Sequence, residues 1–87
     1  MPCEIEFSDH CLTKMEVLKA HGVDITTEVI AQAVRFPDKT DVGYKGRLIA
    51  QKVMDVDHVL RVVYEAFADK VRIVTVYPGR RSRYEKD

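Results

Sequence analysis

The sequence predicts an α+β domain: a short strand, two helices, then three or four antiparallel strands whose apolar face the helices cover. Three observations carry this. Apolar residues recur at helical spacing up to Phe36 and at every second position from Thr40 onward. Ser8, Gly22, Thr26 and Pro37 sit where helix starts and stops need them. The β segments are separated by short turns, which suit hairpins rather than crossovers.

Glu4-Ile5-Glu6-Phe7 alternates polar and apolar, as a half-buried strand does. Ser8 offers the N-cap of the first helix, and Asp9 sets a negative charge against the positive end of its dipole. Cys11, Leu12, Met15 and Leu18 follow at helical spacing, Lys19 and His21 fall in the last turn, and Gly22 supplies the left-handed residue beyond it. Thr26 caps the second helix, with Ile25 and Ile30 spaced as a hydrophobic staple and Val29, Ile30, Ala33 and Val34 as the buried stripe. Pro37 ends it at Phe36, because the residue before a proline resists the helical region. So short a linker predicts that the two helices pack as a hairpin.

From Thr40, Gly43-Tyr44-Lys45-Gly46 divides a short run from a strand over Arg47 to Met54. Asp55-Val56-Asp57 turns into a strand over Val59 to Phe67, with Leu60, Val62, Tyr64 and Ala66 on one face and Arg61, Val63 and Glu65 on the other. After Ala68-Asp69, Val71 to Tyr77 is rich in the β-branched residues strands prefer. Pro78-Gly79 is expected to end the sheet, leaving 78–87 as a basic C-terminal tail on a single domain of residues 1–87.

A chain of 87 residues buries only roughly 60 to 65% of its unfolded surface, so it holds one modest core. No apolar run approaches the ~20 residues of a membrane helix, and the start, Met1-Pro2-Cys3-Glu4, is acidic where an export signal is basic. A cytoplasmic protein without a membrane partner is expected. Cys3 and Cys11 read as reduced, buried or half-buried thiols, and with His10 and His21 they fit no compact zinc spacing, so no metal is expected. The four glycines form no phosphate loop and no nucleophile elbow, which excludes nucleotide-cofactor chemistry and leaves no cofactor implied.

The formal net charge is zero, from 14 basic and 14 acidic residues. Residues 1–44 carry four bases and eight acids, and 45–87 carry ten bases and six acids, so an acidic half precedes a basic one. Tyr77-Pro78-Gly79-Arg80-Arg81-Ser82-Arg83-Tyr84 crowds arginines and tyrosines at the exit of the last strand. Guanidinium forks bind phosphates and tyrosine faces stack on bases, so RNA is a reasonable ligand there. Lys45, Arg47, Lys52, Arg61 and Arg72 lie on neighbouring strand segments; if Arg47, Arg61 and Arg72 share the face away from the helices, they make a basic stripe leading to the tail. The bland alternatives are a solvated tail and an ordinary mixed-charge face. His10, at the first helix start, is a candidate acid or base expected near the strand ends and the tail arginines; the favoured alternative is a histidine that holds the helix start in place. His58 reads as an exposed turn residue.

Several segments together resemble the small RelE/ParE-like toxin superfamily, within it a short branch of uncharacterised domains. They are Phe7-Ser8-Asp9-His10, His21-Gly22-Val23-Asp24-Ile25, Arg35-Phe36-Pro37-Asp38, Gly46-Arg47, Leu60-Arg61-Val62-Val63-Tyr64, Ile73-Val74-Thr75-Val76-Tyr77 and Arg81-Ser82-Arg83-Tyr84, covering about Glu4 to Tyr84. The resemblance implies a β-α-α-β-β-β(-β) RelE-like fold with two N-terminal helices on a curved antiparallel sheet. It also implies a toxin-type protein paired with an antitoxin, or a stand-alone relative. If the chain is an enzyme, the implied activity is a metal-independent ribonuclease acting on RNA or at the ribosome. His10, Arg61, Arg81 and Tyr84 are then the candidate catalytic residues, and Lys45, Arg47, Arg72, Arg80 and Arg83 the candidate nucleic-acid-binding ones. The sequence departs from such nucleases in having no histidine in the C-terminal strand region and in its acid-containing end, Glu85-Lys86-Asp87. The competing expectation is a non-enzymatic interaction module, bound to an acidic antitoxin or forming a homodimer.

Overall fold

The computed structural model describes residues 4–84. Its order is β1 (Glu4–Phe7), α1 (Asp9–Ala20), α2 (Thr27–Arg35), β2 (Lys39–Val42), a 3-10 turn (Tyr44–Gly46), β3 (Leu48–Val53), β4 (His58–Ala66), β5 (Lys70–Arg80) and α3 (Arg81–Tyr84). The class is α+β, with a five-stranded sheet in the order β1-β5-β4-β3-β2.

The local signals act as their chemistry requires. Ser8 Oγ accepts the Cys11 N–H at 3.0 Å and donates to the Val74 carbonyl at 2.8 Å, so one hydroxyl caps α1 and pins it to β5. Gly22 takes φ +84°, and the Val23 N–H closes the helix end on the Leu18 carbonyl at 2.8 Å. Thr26 Oγ1 accepts the Val29 N–H at 3.2 Å, and the staple pair Ile25 and Ile30 is buried. Leu12 and Val29, placed on the apolar stripes by spacing, lie at the rims instead, 42% and 43% exposed.

The core lies between the helices and one sheet face. Cys11, Ile25, Ile30 and Ala33 meet Ala50, Leu60, Val62, Tyr64, Ile73 and Val76 there. Both helices lie against the sheet and share one core, α1 on β5 and α2 on β3 and β4. A five-stranded face offers each apolar stripe more area than the other helix does.

Three further expectations are corrected. The sheet is not wholly antiparallel, because β1 pairs with β5 in parallel, Glu4 opposite Lys70 and Phe7 opposite Ile73. Alternation in a four-residue strand marks its buried face and carries no direction. Pro78-Gly79 does not end the sheet: β5 continues to Arg80, with Pro78 opposite Leu60 and Gly79 opposite Val59. β1 covers β5 only as far as Ile73, so beyond it β5 is an edge where a missing N–H breaks no ladder bond. Finally, 81–84 is no loose tail but a helical turn resting on β4 and β5; residues 85–87 lie outside the described residues, as does Cys3.

The register of β4 and β5 shifts between Val63 and Tyr64, where Thr75 and Ile73 are the partners and Val74 is the extra residue. This bulge presents the Val74 carbonyl to Ser8 and moves every later β5 residue by one position along β4. Among the described residues no helix is long and apolar enough to cross a membrane.

Candidate functional site

The sheet face away from α1 and α2 carries three of the basic residues singled out in the sequence. Glu65 and Arg72 pair across β4 and β5, and Gln51, Arg61 and Tyr77 line up across β3, β4 and β5. Arg47, Arg61 and Arg72 therefore share this face, as the strand parities allow for Arg61 and Arg72. They do not make a free basic stripe. Arg47 Nε lies 3.4 Å from Glu65 Oε2, and Arg72 Nε lies 3.5 Å from Glu6 Oε1, so each arginine carries its own carboxylate.

Arg61 is the most enclosed of them, 6% exposed. Its Nε donates to the Tyr77 hydroxyl at 3.0 Å and its Nη1 to Gln51 Oε1 and, at 3.4 Å, to Asp41 Oδ2. The Tyr84 ring covers the guanidinium, centroid 4.2 Å from Cζ. The same ring rests on Gly79, where a Cβ would meet Tyr84 Cε2 at 2.4 Å. Glycine is needed there for close approach and not for an unusual φ. Lys39 Nζ adds a bond to the Tyr84 carbonyl at 3.1 Å. Arg61 and Tyr84 are thus brought together, as a clamp holding α3 to the sheet.

A cleft of about 390 Å³ opens beside this clamp, lined by His58, Pro78, Gly79, Arg80, Arg83 and Tyr84. Arg80 and Arg83 are exposed and have no carboxylate partner among the described residues; Arg83 lies with its Cζ 5.6 Å from the Tyr84 ring centroid. His58 opens β4 directly opposite Arg80. Its Nδ1 lies 3.0 Å from Asp55 Oδ1, and because a carboxylate only accepts, Nδ1 is the donor of this pair. Asp55 Oδ1 also accepts the N–H groups of Asp57 and His58, each at 2.8 Å. These bonds, the Asp57 N–H first, hold the Asp55 carboxyl below its ordinary pKa. Arg81 ties the same turn to α3 through its N–H on the Asp57 carbonyl at 2.8 Å.

His58 is the residue that sequence reasoning passed over. Its signal was the β4–β5 hairpin, since counting back from the turn brings the end of β5 to the start of β4; the bulge at Val74 then places Arg80, not Gly79, opposite it.

The remaining candidates lie apart. His10 is exposed on the first turn of α1 and makes no hydrogen bond or ion pair with the described residues. The far end of α1 is the end near the cleft, where Gly22 and Val23 approach His58 and Pro78. His10 is thus about a helix length, ~18 Å, from the arginines it was expected to approach. Lys45 sits in the 3-10 turn at φ 59°, its Nζ 5.5 Å from the Tyr44 ring centroid. Cys11 is buried under α1, and burial pushes its thiol pKa up. Compared with known protein families, curated proteins and solved structures, the chain matches none of them.

Proposed function

We propose that the chain is a small RNA-binding protein of RelE/ParE-like organisation that holds a phosphodiester backbone in the cleft of His58, Arg80, Arg83 and Tyr84, and that metal-independent ribonuclease activity resides there. One observation carries the reading. Arg47, Arg61 and Arg72 are each met by an acid, whereas Arg80 and Arg83 line one cleft beside an aromatic ring with no carboxylate partner among the described residues. Uncompensated guanidinium groups are the ones left to take phosphate oxygens, and Tyr84 offers a ring edge to a base.

Fluorescence anisotropy with a short single-stranded RNA tests this. Two neutralised phosphates give a log–log salt slope of about −1.4, or roughly sevenfold weaker binding between ~50 and ~200 mM salt. Arg80→Ala/Arg83→Ala abolishes that dependence, while Arg47→Ala/Arg72→Ala leaves the affinity within about twofold. Salt-independent binding, or equal loss in both variants, refutes the reading.

A second reading, a non-enzymatic module for an antitoxin-like partner or a second copy, is favoured by the open edge of β2 and the exposed Val42 and Tyr44 beside it. A monomer by light scattering that captures no partner from its host removes it.

A further inference from the structure

We propose that the open edge of β2 is an interface with a second copy of this chain, in which the two β2 strands pair antiparallel about a two-fold axis at Thr40 and join the two sheets into one. This rests on the interaction-module reading above and commits it to one partner; it is independent of the RNA cleft.

β2 closes the sheet on the side opposite β1 and is paired with β3 only. The Gly43 N–H donates to the Arg47 carbonyl at 2.6 Å, which makes Gly43 and Arg47 a hydrogen-bonded pair at the end of the β2–β3 ladder. Bonded and non-bonded pairs alternate along an antiparallel ladder, so Asp41 and Lys39 direct their backbone groups to Ile49 and Gln51. The N–H and C=O groups of Thr40 and Val42 point the other way, off the sheet.

The side chains select the register in which two such edges meet. With Thr40 opposite Thr40 of the second copy, the two residues exchange both hydrogen bonds, and Lys39 of each copy falls opposite Asp41 of the other. These are the closely spaced, non-bonded positions, and Lys39 and Asp41 share a sheet face, so two opposite-charge pairs cross the interface. Arg61 Nη1 already holds the Asp41 carboxylate at 3.4 Å and Lys39 is exposed, so only the lysine has to turn. Continued past the strand ends, the same register brings Tyr44 level with Phe36 of the other copy, and both aromatic side chains are exposed in the single chain. Pairing Thr40 with Val42 instead sets Asp41 against Asp41, and centring the ladder on Val42 runs it into the 3-10 turn at Tyr44. Lys39-Thr40-Asp41 is thus self-complementary in one register and self-repelling in the next.

Sedimentation equilibrium over a range of protein concentrations reads the association. Oxidative cross-linking in a Cys3→Ser background reads the register, since Cys11 is buried. The wild type is expected to dimerise reversibly, with the weak affinity of a small interface. Thr40→Pro removes an N–H that β3 does not use, so it keeps the circular dichroism of wild type while dimerisation weakens at least ~10-fold. Lys39→Glu and Asp41→Lys are each monomeric alone and dimerise when mixed, because both cross-strand pairs of the mixed dimer are again opposite in charge. Should Asp41→Lys misfold for want of its bond to Arg61, the cross-links decide: Thr40→Cys gives a disulfide dimer, and Val42→Cys, whose counterpart lies about 13 Å along the strand, does not. A wild type that stays monomeric at every concentration overturns the inference and leaves the interaction-module reading to a different protein. A dimer that Thr40→Pro leaves intact, or one cross-linked through Val42→Cys and not through Thr40→Cys, overturns the β2 pairing and leaves a second copy bound elsewhere.

Discussion

Replacing Gly79 with alanine sets a methyl group 2.4 Å from Tyr84 Cε2 and 2.9 Å from Cδ2, distances that no rotamer of alanine relieves. The ring has to leave. With it goes the stacked contact on a largely desolvated guanidinium, worth ~2 kcal/mol, and ~1 kcal/mol of ring burial, while the alanine returns ~0.5 kcal/mol by limiting the unfolded chain. The net loss is ~2.5 kcal/mol, or roughly 10 to 20 °C in Tm for a domain of this size. The assay is urea denaturation of wild type, Gly79→Ala, Tyr84→Ala and the double variant. Once Tyr84 is alanine the added methyl meets nothing, so Gly79→Ala becomes neutral or slightly stabilising, and the cycle returns a coupling of ~3 kcal/mol. An equal cost of Gly79→Ala in both backgrounds refutes the clamp, because the penalty would then arise from the strand and not from the ring.

Two other perturbations bear on the frame of the site. Ser8→Ala removes both the cap of α1 and the bond to the bulged Val74 carbonyl, and is expected to cost ~1 to 2 kcal/mol in thermal unfolding followed by circular dichroism; a Tm equal to that of wild type contradicts the double role. Asp55 has a folded-state pKa below its unfolded value, so its contribution to stability is present in full above the ordinary carboxylate range and is lost as pH falls through the lowered folded value. Melting curves of wild type and Asp55→Asn should therefore differ at neutral pH and converge on acidification; a constant gap down to the lowest pH contradicts this.

What the sequence discloses is what neighbouring residues decide. Ser8, Gly22, Thr26 and the Ile25–Ile30 staple act within one helical turn, and they stand where their types and spacing place them. Strand parity is also local, which is why the sequence allows Arg61 and Arg72 on one face, where Arg47 joins them. Whether that face is open to phosphate is not local. It depends on Glu6, Asp41 and Glu65 arriving from other segments, and on Tyr84 folding back over Arg61. The same limit separates His58 from its recognition. The residue is ordinary in a turn, and becomes a candidate site residue only when a one-residue bulge sets Arg80 across from it and α3 brings Arg83 and Tyr84 alongside.

The parallel union of β1 with β5 also orders events in time. Glu4 and Phe7 find their partners at Lys70 and Ile73, 66 positions later, so the first strand made at the ribosome has nowhere to dock until nearly the last has been synthesised. Until then Val59, Leu60, Val62 and Tyr64 of β4 lack their final neighbour, and that edge is open to pairing with another nascent chain. Moving residues 4–20 behind Tyr84 through a flexible linker would bring β1 next to β5 in synthesis as well as in space. Such a permuted chain should reach its native state faster and aggregate less on refolding.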